Sequence, residues 1–210
     1  MWYNLSLNPR ERRCTLYRLL PLLGDLGLGL IVYVCISFVY DQTSPLAFGL
    51  AVFLSFAPDL DALAEISRRG KVAASADHPV DHREVLHKPL IWLLVTGGLW
   101  MWFGYYGAIA FFAILFHFLH DSVLTGWGVP WLAPFSKTRF KFFVDEANTE
   151  SFARRNWVRT WTPEELTRMI IAHGDENWIK NLYLLPTPAS VIEYSMFGIS
   201  LVLLTWHLFA

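Results

Sequence analysis

The chain has 210 residues, of which 54% are hydrophobic, 16% aromatic and only 17% charged, with a formal net charge of -1. Soluble proteins carry roughly 25% charged residues, so the shortfall places this chain in the membrane class. The near-neutral balance excludes a large basic surface of the kind that neutralises nucleic-acid phosphates.

A basic leader (Arg10, Arg12, Arg13, Arg18) runs into an apolar window over 22–40. The leader fits a secretory signal, but the apolar run is long and lacks an A-x-A-like exit, so it reads as an anchor that stays. Further apolar windows follow at 46–57, 90–103, 105–119 and 189–209. A helix needs about 20 residues to cross a hydrocarbon core of about 30 Å. The first and last windows meet that length; the three between are short and fit tilted, re-entrant or bundle-buried helices. The expected fold is an all-α, polytopic membrane bundle with about five apolar spans and a small helical cytoplasmic segment, forming one domain over 1–210.

Two polar segments interrupt the windows. Residues 58–88 form a loop with a short helix expected at 62–69, ending at Gly70. Residues 122–188 open with Gly126-Trp127-Gly128-Val129-Pro130-Trp131-Leu132-Ala133-Pro134-Phe135, whose tryptophans and prolines suit an irregular stretch at headgroup level. Thr162-Pro163-Glu164-Glu165 then spells an N-cap, a proline at the first helical position and a glutamate three residues after the cap. The helix it starts is expected to run to about His173 and stop near Gly174. Cys14 and Cys35 make neither a disulfide framework nor a CxxC pattern.

All 17 lysines and arginines fall within 1–21, 58–88 and 121–188. With the N-terminus inside, the two outside loops, 41–44 and 104–107, contain none, as the positive-inside rule demands. The expectation is N-in and C-out, with both polar segments cytoplasmic.

Three short clusters lie at those cytoplasmic rims: Pro58-Asp59-Leu60-Asp61, His82-Arg83-Glu84-Val85-Leu86-His87 and His117-Phe118-Leu119-His120-Asp121. Ionisable groups at membrane depth are costly and are kept mainly where they bind or react. Aspartate with imidazole is also a usual ligand set for a divalent metal. Asp59 and Asp61 would face opposite sides of a regular helix but share a face in a turn, and Pro58 favours a break there. The alternative is an N-cap aspartate with a solvated neighbour. His82 and His87 are about 140° apart on a helix and chelate one ion only across a bend. Asp77, His78 and Asp81 lie just upstream as possible orienting groups. His117 and Asp121, at i and i+4, project from one helical face, with His120 one position off it. Asp25 and Glu193 sit inside apolar windows and could line a cavity or pair with a neighbour. His173 and His207 read as structural.

The ordered motifs P-D-x-D, H-R-x-x-x-H, H-x-x-x-D, G-W-G-V-P and P-F-S (Pro134-Phe135-Ser136) resemble the LexA-regulated, metal-dependent hydrolase family of bacterial inner membranes. The resemblance covers about 45–140. It implies a multi-pass inner-membrane hydrolase related to zinc-dependent phospholipase C and nuclease-type helical sites. Where that family has T-H-S around its second histidine, this chain has Leu86 and Lys88.

The resulting expectation is hydrolysis of a phosphoester in a membrane lipid or lipid-linked substrate. Asp59, Asp61, His82, His87, His117 and Asp121 would hold one or two divalent ions, zinc first and manganese second. Arg83 would bind non-bridging oxygens, and Asp81 or Glu84 would take a proton. The competing readings are a non-enzymatic metal-binding carrier or sensor and a metal-independent lipid phosphatase. The last needs a PSGH-like phosphate loop and a K-x6-R-P motif, which the chain lacks.

Overall fold

A computed structural model describes residues 16–69, 72–79, 83, 85–123, 126–144 and 156–209. After a 3-10 turn at Leu16–Leu19, helix α1 (Leu22–Tyr40) and helix α2 (Pro45–Phe56) form an antiparallel pair. Asp41, in a left-handed conformation, closes α1; Ser44 opens α2, its hydroxyl accepting from Ala47 N at 3.5 Å with Pro45 behind it. A 3-10 turn at Ala57–Asp59 then leads into α3 (Leu60–Arg69). Helices α4 (Pro89–Phe103) and α5 (Tyr105–Val123) make the next hairpin, turning at Gly104 with φ +49°. The polar end adds an antiparallel ribbon, β1 (Arg139–Val144) with β2 (Asn156–Trp161), followed by α6 (Pro163–His173) and α7 (Trp178–Tyr183). The final span is α8 (Pro188–Phe209).

Helix α5 is central and packs on α1, α2 and α4, while α8 packs on α1. Close approach relies on small residues, as expected where lipid gives no hydrophobic drive between helices. A Cβ on Gly27 would sit 3.0 Å from the Phe197 backbone of α8, and one on Gly29 would press on Ser55 and Ala51 of α2. Tyr33, Val34, Ala47, Ala51, Tyr105 and Ile109 fill the core at one end, where Ser37 and Tyr105 share a 2.7 Å hydroxyl contact. Ala57, Ile114, Phe118 and Val129 fill it beside the polar end. Apolar side chains such as Phe38, Met101, Trp102 and Phe209 point outward, as a hydrocarbon surround allows.

By length and composition, Leu22–Tyr40, Pro45–Arg69 taken through its 3-10 turn, Tyr105–Val123 and Pro188–Phe209 can cross a membrane; Pro89–Phe103, with 15 residues, is shorter. The five windows therefore become four long spans and one short apolar helix. The 105–119 window runs on to Val123, carrying His120 and Asp121 on the same helix.

The all-α expectation holds for the bundle, and the ribbon is an addition inside 122–188. Its first strand is joined to the Gly-Trp-Gly segment by a bridge: Val129 N donates to Phe140 O at 3.1 Å, and Phe140 N to Val129 O at 2.9 Å. The capping box forms as spelled. Thr162 Oγ1 accepts from Glu165 N at 3.3 Å, and Glu165 Oε2 accepts from Thr162 N at 2.9 Å. Trp161, Leu166 and Ile170 give this end a small core of its own.

Candidate metal centre

The site assembles where the polar ends of α2, α4 and α5 meet. After Phe56 the chain tightens into the 3-10 turn containing Pro58, and this rotates Asp59 toward α5. His87 arrives on the short segment before α4, and α5 contributes His117 and Asp121 from one face. One donor atom from each of Asp59, His87, His117 and Asp121 lies within 4.8 Å of all the others.

The individual spacings suit one ion. His87 Nε2 is 3.1 Å from Asp121 Oδ2 and 3.2 Å from Asp59 Oδ1; His117 Nε2 is 3.6 Å and 4.0 Å from the same two oxygens. Donors on a tetrahedral ion with bonds of 2.0–2.1 Å would be about 3.3 Å apart. His117 Nε2 is buried with no hydrogen-bond partner, which is costly unless it has a ligand to meet. Both imidazoles are also oriented through their other nitrogen. His117 Nδ1 lies 2.8 Å from the Ser55 carbonyl, a fit for N–H donation, and His87 Nδ1 lies 3.2 Å from Asp61 Oδ2. That assignment leaves each Nε2 lone pair pointing into the cluster. The donor set and its spacing fit a divalent ion.

Asp61 therefore stands apart from the ligand group. The turn splits the P-D-x-D pair, sending Asp59 to one nitrogen of His87 and Asp61 to the other. Asp61 Oδ2 also accepts from Leu86 N at 3.2 Å, and Leu86 O accepts from Trp92 Nε1 at 2.8 Å. These contacts use the Leu86 backbone and do not depend on which side chain stands there. Burial works to lower the proton affinity of His87, but Asp121, Asp59 and Asp61 outweigh it and raise its pKa well above the ordinary imidazole value.

The remaining predicted residues divide clearly. Arg83 is buried and donates from Nη2 to Asp121 Oδ1 at 2.8 Å. Asp81, His82 and Glu84, expected as proton acceptors and ligand, lie outside the described residues. His78 turns to Glu65, 3.4 Å away, and Asp77 is exposed, so neither orients the ligands.

His120 belongs to a second polar layer behind the cluster. Asp25 Oδ1 is 3.3 Å from Nδ1 of both His117 and His120; His120 Nε2 is 3.5 Å from Glu193 Oε1, which accepts from Tyr183 Oη at 2.8 Å. The two charges inside apolar windows thus have partners. Their position within spans was the signal that marked them.

Sequence reasoning missed Arg139 and Lys141, both buried on β1. Arg139 donates to Gly128 O at 3.3 Å and to the Arg83 carbonyl at 3.4 Å, and Lys141 Nζ donates to Gly126 O at 3.0 Å. Burial, and then the charge of Arg83, push the Lys141 ammonium down to about 7 against the pull of Asp121. Nothing in the local pattern of a short strand that alternates basic and aromatic residues at its start marks such a lysine.

Fold and site together define a multi-span helical membrane protein with a candidate metal centre at the polar end of its bundle. The chain belongs to the YdjM inner membrane protein family, whose model matches residues 22–204. That is the inner-membrane family the ordered motifs resemble. No curated protein and no solved structure matches the chain.

Proposed function

We propose that the protein is a metal-dependent hydrolase acting on a phosphoester of a membrane lipid or lipid-linked substrate. The observation that carries this reading is Asp121, whose two oxygens face the histidine pair and Arg83 respectively. One carboxylate thereby couples a metal site to a guanidinium suited to phosphoryl oxygens. A bound divalent ion, zinc before manganese, would supply a lowered pKa for water and charge neutralisation at phosphorus.

The chain's own residues would divide the remaining work. Asp59, His87, His117 and Asp121 would hold the ion, with Asp61 and the Ser55 carbonyl keeping the imidazoles aimed. Asp59 is the most open ligand, with 21% side-chain exposure, so substrate and water would enter along its edge. Arg83 would bind non-bridging oxygens, and Asp81 or Glu84 would accept a proton. The distribution of lysine and arginine supports an N-in orientation, which puts this edge at the cytoplasmic leaflet of the inner membrane.

The test is turnover by purified protein, loaded with Zn²⁺ or Mn²⁺, on a lipid panel. Cleavage of phosphoesters, abolished by chelation, is expected. Cleavage of only amides or carboxylic esters would overturn the substrate class. One observation favours a second reading, a metal-binding carrier or sensor: four protein ligands can close a tetrahedral site completely. In that case chelation would remove stability, and no panel member would turn over.

A further inference from the structure

The Gly126-Trp127-Gly128 motif is not used by the metal ligands, yet it is built around two cations. Gly126 has φ +82°, and a Cβ there would overlap the Arg83 guanidinium. The positive φ favours glycine, and any Cβ would have to push the guanidinium aside. Gly128 has φ +76°, and a Cβ on it would collide with the Phe140 carbonyl, so it lets β1 close onto the loop. The consequence is that Arg83 packs on one side of Gly126 while Lys141 Nζ reaches its carbonyl at 3.0 Å.

We propose that Arg83 and Lys141, brought together at Gly126, form a subsite for a phosphoryl group beside the metal cluster. It rests on the hydrolase reading only for its place in a reaction; the binding itself does not need turnover.

Three observations support this assignment. Arg83, Arg139 and Lys141 are 9%, 5% and 8% exposed, so these are built-in charges and not a solvated basic fringe. Arg139 grips the carbonyls of Gly128 and Arg83, which fixes the backbone presenting the guanidinium. Asp121 then ties Arg83 to the metal ligands through one carboxylate, placing a bound anion next to the ion.

Electrostatics point the same way. Burial, and then the charge of Arg83, weaken the Lys141 ammonium to about 7, a penalty that Asp121 offsets only in part. A phosphoryl dianion would reverse that penalty. Its several acceptor oxygens would take a guanidinium fork and an ammonium together, whereas a carboxylate offers fewer directions. The same chemistry could come from a phospholipid headgroup or from free phosphate.

The experiment is calorimetric titration of the full-length, zinc-loaded protein in detergent micelles. One arm uses inorganic phosphate; the other uses micelles doped with phosphatidic acid, with diacylglycerol as the phosphate-free control. Binding in at least one arm is expected, and the arm with tighter binding identifies the source. Lys141→Met should weaken it at least about tenfold, the size of one charge-assisted hydrogen bond, with zinc content unchanged. Lys141→Arg should retain most of the affinity. Gly126→Ala, which displaces the guanidinium, should mimic Lys141→Met. The subsite is overturned if neither arm binds, if acetate binds as tightly as phosphate, or if Lys141→Met binds like the parent. Phosphate binding without turnover would remove the hydrolase reading alone; turnover without Lys141 dependence would remove this subsite alone.

Discussion

Asp61 Oδ2 lies 3.2 Å from Nδ1 of His87, on the side of the ring away from Asp59 and Asp121. An aspartate two residues from one candidate ligand thus orients another candidate ligand. Orienting carboxylates of this kind typically change metal affinity by 10–100-fold. We expect Asp61→Ala to weaken zinc binding by about that factor while preserving one site. Asp121→Ala or His117→Ala should abolish stoichiometric binding. Competition with a chromophoric chelator separates the cases, and equal losses for Asp61→Ala and Asp121→Ala would contradict the division of roles.

The raised pKa of His87 in the metal-free fold has a definite sign. Its folded value lies above the ordinary value of about 6.5, so protonation stabilises the metal-free protein below that pH. This contribution is lost as pH rises through the folded value. Thermal unfolding of chelated protein should therefore fall in midpoint as pH is raised above neutrality. Zinc-loaded protein should not follow it, because the ion replaces the proton. Parallel pH profiles for the two forms would argue against His87 as a ligand.

Glu193 is fully buried and touches His120 and Tyr183. Replacing it with alanine leaves His120 facing a void where a carboxylate stood. A loss of about 3 kcal/mol is expected for breaking a buried pair, against a smaller loss for Glu193→Gln. Equilibrium unfolding in detergent reads the difference.

Gly27 allows α1 and α8 to meet at backbone distance. Gly27→Leu should cost roughly 1–3 kcal/mol through overpacking, whereas Gly49→Leu, with open space beside it, should be nearly neutral. Similar losses at both positions would mean that the α1–α8 contact is not what Gly27 serves.

The proposed orientation places Gln42 outside and Lys137 inside, and both residues are exposed. A membrane-impermeant maleimide applied to intact spheroplasts should label Gln42→Cys and spare Lys137→Cys. The reverse pattern would invert the topology and move the site to the other face.

Much of this was legible in the chain. His117 and Asp121 were readable because helical geometry is local, and i, i+4 residues on an apolar helix must share a face. Asp25 and Glu193 stood out because charge inside an apolar run is costly, although their common partner His120 could not be inferred from distant segments. Asp59 and Asp61 were readable as a pair but not in their separate roles. A single 3-10 turn, stabilised by contacts made elsewhere, decides which oxygen faces which nitrogen. Arg139 and Lys141 carried no signal, since their burial comes from strand β1 closing over a glycine loop that starts 13 residues earlier.

By itself the sequence determined what depends on composition and short-range periodicity: a membrane bundle, its apolar windows, its capping box and the ionisable groups that have to be satisfied. Only the tertiary structure decided which of those groups come within reach of one ion, which lie against the far side of a neighbouring imidazole, and which cations meet at Gly126. The reason is physical. Hydrophobic periodicity and helix capping act within a few residues of chain, whereas a metal site depends on distances of about 3 Å between atoms that only packing of the polar ends of α2, α4 and α5 can bring together.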